Sequence, residues 1–65
     1  MRIDFIKLLT RMRQQDMNQK QLSVKSGVNP TTISNIVRGC ACSDVTAGKI
    51  ADALGVTVND LRHNG

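Results

Sequence analysis

A short stretch of the chain carries amide, hydroxyl and guanidinium side chains at helical spacing. At 100° per residue, Thr31, Asn35 and Arg38 fall on one side of a helix, and Ile33 and Ile36 fall on the other. Amides and hydroxyls are groups that read the edges of base pairs. An Asn side chain can pair bidentately with adenine, and a Thr methyl group can contact the thymine methyl. The stretch is therefore a candidate for reading duplex DNA.

The same polar face has a simpler interpretation, in which these residues only occupy a solvated surface. A solvated helix face usually carries Glu or Lys, which favour the helix and solubility. Here the exposed positions are Thr and Asn, and Thr32 and Ser34 flank them. From this helix alone the two interpretations are equally supported, so the neighbouring elements must decide between them.

Apolar spacing and capping residues predict an all-α fold. The expected helices span, in chain order, 3–14, 19–26, 30–38, 44–54 and a short segment that carries Val58 and Leu61. No alternating strand pattern and no linker divides the sequence. We therefore expect residues 1–65 to form one compact five-helix domain.

The boundary between the second and third expected helices has the residues of a tight turn. Asn18 is a suitable N-cap for helix two, and Gly27 can adopt the left-handed conformation that ends it. Asn29 can cap helix three, and Pro30 suits its first position because that position needs no N–H donor. A short turn that contains glycine between two helices predicts a helix-turn-helix.

Charge and composition limit the kinds of molecule that the chain is expected to bind. The net charge is +4, with +5 in residues 1–38 and −1 in residues 39–65, so the first half should meet a polyanion. Phe5 is the one aromatic residue, which excludes stacking platforms for single-stranded nucleic acid. Duplex RNA is a weaker candidate, because its deep, narrow major groove does not admit a helix. Duplex DNA is the favoured partner.

Other chemistries find little support. Cys40 and Cys42 lie too close together to staple a fold, and with His63 as the one histidine they cannot complete a four-ligand zinc site. No phosphate loop, paired carboxylate or nucleophile motif is present, so we expect no enzymatic activity, no cofactor and no metal. No apolar run approaches the roughly 20 residues that span a membrane, and no signal peptide is visible. A cytoplasmic location is expected.

The sequence resembles the phage Cro/repressor-like helix-turn-helix proteins, also called the XRE family. The matching residues are MNQKQLSVKSGVNPTTISNIVRG at 17–39, KIADALGV at 49–56 and NDL at 59–61. The separate matches occur at the right spacing, which makes the resemblance specific. It covers the chain from about Phe5 to Leu61. It implies a lambda repressor-like fold and a sequence-specific transcription regulator.

The resemblance also implies roles for individual residues. The candidate DNA-binding residues are Gln19, Lys20, Asn29, Pro30, Thr31, Thr32, Ser34, Asn35 and Arg38. Asn29, Pro30, Thr31 and Asn35 match family positions that often touch bases, and Thr31 and Asn35 are expected to be the main base readers. Gln19, Lys20, Thr32 and Arg38 are expected to contact the DNA backbone. Pro30 departs from the family pattern, since relatives often place a polar side chain there; one base contact is missing or is replaced by an apolar one.

These observations predict a repressor that binds a two-fold symmetric operator as a homodimer, with helix 30–38 in the major groove. Val56, Val58 and Leu61 are candidate dimer-interface residues, and closing the core of a monomer is an equally supported role for them. A function of another class stays open. The chain could be a protein-interaction module or the antitoxin of a toxin–antitoxin pair, which would require apolar surface on helices four or five.

Overall fold

Capping residues divide the chain into five helices. The computed structural model describes residues 1–63. Within this range the helices are α1 (Phe5–Gln14), α2 (Gln19–Ser26), α3 (Pro30–Val37), α4 (Asp44–Leu54) and α5 (Val58–Leu61). The predicted all-α class with five helices and a central helix-turn-helix is confirmed. Two boundaries differ from the prediction: α3 ends at Val37, with Arg38 as its C-cap, and α1 begins at Phe5.

Two of the helices start with reciprocal capping boxes. The Asn18 side chain accepts a hydrogen bond from the Gln21 N–H at 2.8 Å, and the Gln21 side chain accepts one from the Asn18 N–H at 2.9 Å. Thr57 and Asp60 make the same arrangement at α5. Hydrogen bonds from Thr57 lower the pKa of the Asp60 carboxyl, because they favour its charged form. The caps give partners to N–H groups that a first turn leaves unpaired.

The start of α1 differs from the sequence prediction, which placed Ile3 in the helix and Asp4 in its first turn. Asp4 is the N-cap instead, and its carboxylate accepts from the Ile6 N–H at 2.9 Å. Ile3 is buried outside the helix, where its backbone forms an antiparallel bridge with Arg62. An extended backbone is needed for this bridge, so the helix begins only after Asp4.

One apolar core receives side chains from all five helices. Its largest fully buried members are Leu8, Leu22, Ile33, Ile36, Ile50 and Leu61. Burial of each such side chain contributes about 1.5–3 kcal/mol relative to exposure. Val56 and Val58 are half-buried and pack against this core.

Leu61 requires a correction to the predicted dimer interface. Its side chain is 0% exposed, so it offers no surface to a second chain while the domain is folded. Its burial fits the alternative role, in which Leu61 closes the core of the domain. Of the three candidates, only Val56 and Val58 retain partly exposed side chains.

Two glycines in open surroundings differ in backbone conformation. A Cβ added to Gly27 or Gly48 would meet no atom within 4 Å. Gly27 ends α2 with φ +73°, which side chains rarely tolerate, whereas Gly48 lies inside α4. The helix interior therefore gives no steric reason for glycine at position 48.

We predict that Gly48→Ala raises the free energy of unfolding by roughly 0.5–1 kcal/mol, because alanine loses less backbone freedom in a helix. Thermal unfolding followed by circular dichroism should show a melting temperature several degrees higher. Gly27→Ala is the control, and its left-handed backbone should make it destabilising by about 1–2 kcal/mol. Destabilisation by both substitutions to the same extent would contradict the difference between the left-handed backbone at Gly27 and the helical backbone at Gly48.

Candidate nucleic-acid interface

The turn between α2 and α3 is held by two serines of α2. The Ser23 hydroxyl donates to the Val28 carbonyl at 2.6 Å, and the Ser26 hydroxyl accepts from the Val28 N–H at 3.2 Å. Ser26 also donates to the Leu22 carbonyl at 2.6 Å. Val28 itself is buried with 7% exposure. Because the N–H and the carbonyl of Val28 both have partners, this residue can be buried without an unpaired polar group.

Ser23 and Ser26 are structural residues that sequence reasoning missed. Ser23 is the one polar residue buried among residues 1–63, and Ser26 is half-buried. The available signal was their position at the end of a helix, within five residues of a predicted turn. Serine hydroxyls there can replace the hydrogen bonds that a helix end lacks.

The turn directs the predicted polar face of α3 away from the core. Ile33 and Ile36 are 0% and 1% exposed. Thr31, Asn35 and Arg38 are exposed on the opposite side, as the 100° spacing predicts. The two residues on the flanks, Thr32 and Ser34, are half-buried.

The N-terminal end of α3 combines a side-chain cap with a proline. The Asn29 side-chain oxygen accepts from the Thr31 N–H at 2.8 Å, and Pro30 occupies the first position of the helix. Asn29, Pro30 and Thr31 are all exposed. The end of the helix that is expected to approach base edges is therefore capped and open to solvent.

A side-chain hydrogen bond joins the start of α2 to α3. The Ser34 hydroxyl donates to the Gln19 side-chain oxygen at 3.1 Å. Gln19 and Lys20 are exposed in the first turn of α2. Two predicted site residues from different helices are thus in contact, and Gln19 lies beside the polar face of α3.

The C-terminal end of α3 closes with a Schellman motif. The Cys40 N–H donates to the Asn35 carbonyl at 3.0 Å, and the Gly39 N–H donates to the Ile36 carbonyl at 2.9 Å. These bonds fix the last turn, including the backbone of Asn35. Arg38 is exposed at this end. Seven of the nine predicted site residues thus lie in α3 or at its caps, and the other two, Gln19 and Lys20, lie in the first turn of α2.

The two cysteines lie beside this unit as free thiols. Cys40 is exposed and Cys42 is half-buried, and burial raises the pKa of the Cys42 thiol. Among residues 1–63, no three His, Cys, Asp or Glu side chains converge in a group that could hold a metal ion. None of the helices in the described part of the chain has the length and apolar character to cross a membrane.

Comparisons with known proteins support a helix-turn-helix. The helix-turn-helix family model matches residues 8–61. No curated protein matches the chain.

Solved structures with a similar fold include a variant of hydroxyethylphosphonate dioxygenase, with a TM-score of 0.87, and native PhpD with cadmium atoms, with a TM-score of 0.85. Each is 23% identical in sequence, and the similarity covers 100% of this chain. The chain spans only 14% of the length of each solved chain. This likeness shows the fold alone.

Proposed function

Because the chain belongs to the Cro/repressor-like helix-turn-helix family, a family of DNA-binding domains, we propose that it is a transcriptional regulator that reads duplex DNA with α3. The observation that carries the proposal is the outward face of α3. That face exposes Thr31 and Asn35, which are uncharged and can discriminate between bases. Electrostatic attraction to the DNA backbone alone would need only Lys and Arg.

Asn35 is the main proposed base reader. Among residues 1–63, no hydrogen bond engages its side-chain amide, so the oxygen and the nitrogen are both available. This is the requirement for a bidentate contact with adenine, which contributes about 1–3 kcal/mol of discrimination. Thr31, one turn earlier on the same face, can place its methyl group against thymine.

The remaining polar residues are proposed to position the domain on the DNA backbone. Gln19 and Lys20 lie in the first turn of α2, where N–H groups and the helix dipole favour a phosphate. Thr32 lies on the flank of the reading face, and Arg38 lies at the C-terminal end of α3. Ser34 supports Gln19 through their hydrogen bond. Such contacts set register and affinity and leave sequence discrimination to the reading face.

We propose that the regulator acts as a repressor and binds as a homodimer in the cytoplasm. A single small module buries only about 600–1,000 Å² of protein surface on DNA, and a two-fold pair on half-sites about 34 Å apart doubles that contact. Val56 and Val58 are the proposed dimer residues that keep partly exposed side chains.

The protein-interaction or antitoxin alternative is less supported. It requires an apolar surface on α4 or α5. Among the described residues of these two helices, Val45 is the one exposed large hydrophobic, with 69% exposure. A single exposed valine is a common surface feature and does not indicate a partner.

Selection from a pool of random duplexes, followed by gel-shift titration at several salt concentrations, tests the proposed function. We expect an enriched two-fold motif and a steep loss of affinity with salt. Competitor duplex RNA should displace little of the DNA. Failure to enrich any sequence, or equal competition by RNA, would contradict sequence-specific DNA binding.

Asn35→Ala should weaken binding to the selected duplex by about 1–3 kcal/mol and relax the preference at one base pair. Binding to random DNA should change much less, because the lost contact is to a base. The control is Asn59→Ala, which removes an exposed amide from α5. Equal weakening on selected and random DNA would remove Asn35 from the base readers.

Lys20→Ala should lower the slope of log affinity against log salt by about one unit, because one phosphate contact and its counterion release are lost. Lys49→Ala removes the same charge from an exposed position of α4 and should leave the slope nearly unchanged. A slope that responds equally to both substitutions would show that net charge, and not a Lys20 contact, sets it.

A further inference from the structure

Two large apolar side chains are exposed next to each other in the first turn of α1. Phe5 is 45% exposed and Ile6 is 63% exposed, although burial in the core would stabilise the domain. Among residues 1–63, the other exposed large hydrophobics are Val24 on α2 and Val45 on α4. Adjacent apolar side chains in water are a feature of surfaces that contact another molecule.

Ile6 lies where two surface grooves meet. The α1–α5 groove has a volume of about 400 Å³ and is lined by residues of these two helices. The second groove, of about 260 Å³, is lined in part by Phe5, Ile6 and Gly39, the residue that follows the C-cap of α3. No residue of α2 or α3 lines either groove. A molecule that occupies this surface therefore lies beside the C-terminal end of α3 and leaves the exposed polar face of α3 free.

The two walls of the α1–α5 groove carry opposite charges. The α1 wall contains Lys7 and Arg11, and the α5 wall contains Asp60. Lys7 donates to the Arg62 carbonyl at 3.1 Å. Arg11 donates to the Gln14 side-chain oxygen at 3.5 Å. Because both acceptors are uncharged, these bonds do not neutralise the two positive charges, and the groove has a positive wall beside a negative one.

A surface with both charges is complementary to itself. In a two-fold contact the same surface of each copy meets the other. An axis along the groove places the α1 wall of each copy against the α5 wall of its partner, so Lys7 and Arg11 face a second Asp60. A polyanion such as DNA or an acidic peptide would instead be repelled by Asp60. The charges therefore favour a second copy as the occupant.

We propose that the α1–α5 groove is a contact between two copies of this chain on a two-fold operator. This inference rests on the proposed function and adds α1 to the dimer contact. A third groove is lined by Val58 and by Asn59, which also lines the α1–α5 groove. The contact surface thus continues from α1 across α5 to Val58, a residue already proposed for the dimer.

The first test compares Ile6→Asp with Val45→Asp. Ile6 and Val45 are both the second residue of a helix and are 63% and 69% exposed, so both substitutions add the same charge to a first turn and should preserve the fold. On the two-fold duplex selected by the unmodified protein, Ile6→Asp should bind about tenfold more weakly than Val45→Asp, because it places a charge in the contact. On a duplex with one half-site, the two variants should bind alike.

A charge exchange tests the pairing of the two walls. Arg11→Glu and Asp60→Lys should each reduce the advantage of the two-fold duplex over a single half-site, because like charges then meet across the contact. An equimolar mixture of the two variants should restore this advantage, because every pair across the contact then has opposite charges. Asp60→Lys also removes a capping side chain, but this loss is the same in the mixture, so recovery on mixing would not come from the fold.

Equal binding of Ile6→Asp and Val45→Asp to the two-fold duplex would overturn the inference. A mixture of folded variants that binds no better than its components would also overturn it. If circular dichroism shows that Asp60→Lys is unfolded, the comparison of Ile6→Asp with Val45→Asp decides. Failure of the unmodified protein to prefer the two-fold duplex over a single half-site would instead contradict the proposed homodimer.

Discussion

The hydrogen bonding of Val28 is the interaction on which the reading surface depends. Val28 is the buried middle residue of the turn between α2 and α3, so its backbone groups need hydrogen-bond partners inside the protein. Ser23 and Ser26 supply the missing partners from α2. The direction of α3 is thereby fixed relative to α2, and with it the positions of Asn29 and Asn35. Discrimination between bases requires this rigidity, because a contact displaced by an ångström no longer matches a base edge.

The sequence predicts the elements that are determined locally. Asn18, Gly27 and Pro30 act through their own backbone or through neighbours a few residues away, so their types and positions identify helix ends. Ile3 and Leu61 could not be placed in the same way. Their burial depends on how the two ends of the described chain pack together, and nothing in their local sequence distinguishes a core position from a surface position.

The candidate site also has features that local sequence predicts and features that depend on the packing of two helices. The 100° spacing of Ile33 and Ile36 is sufficient to predict which side of α3 faces outward. It cannot predict that Ser34 contacts Gln19, since that bond requires the distance between two helices. Nor does it indicate which amides are engaged. Residue types therefore identify the surface, while the donors and acceptors that remain on it follow only from the folded geometry.

The pairing of residues 1–4 with residues 61–63 has a consequence for the order of folding. The Asp4 N–H donates to the Leu61 carbonyl at 2.8 Å, and the His63 N–H donates to the Arg2 carbonyl at 3.1 Å. These contacts close a loop of nearly the whole chain, which costs more chain entropy than local contacts do. The bonds of α2, the turn and α3 span at most 15 residues. The reading unit can thus form early and the closure late. Weakening the closure then speeds unfolding and leaves the folding rate almost unchanged.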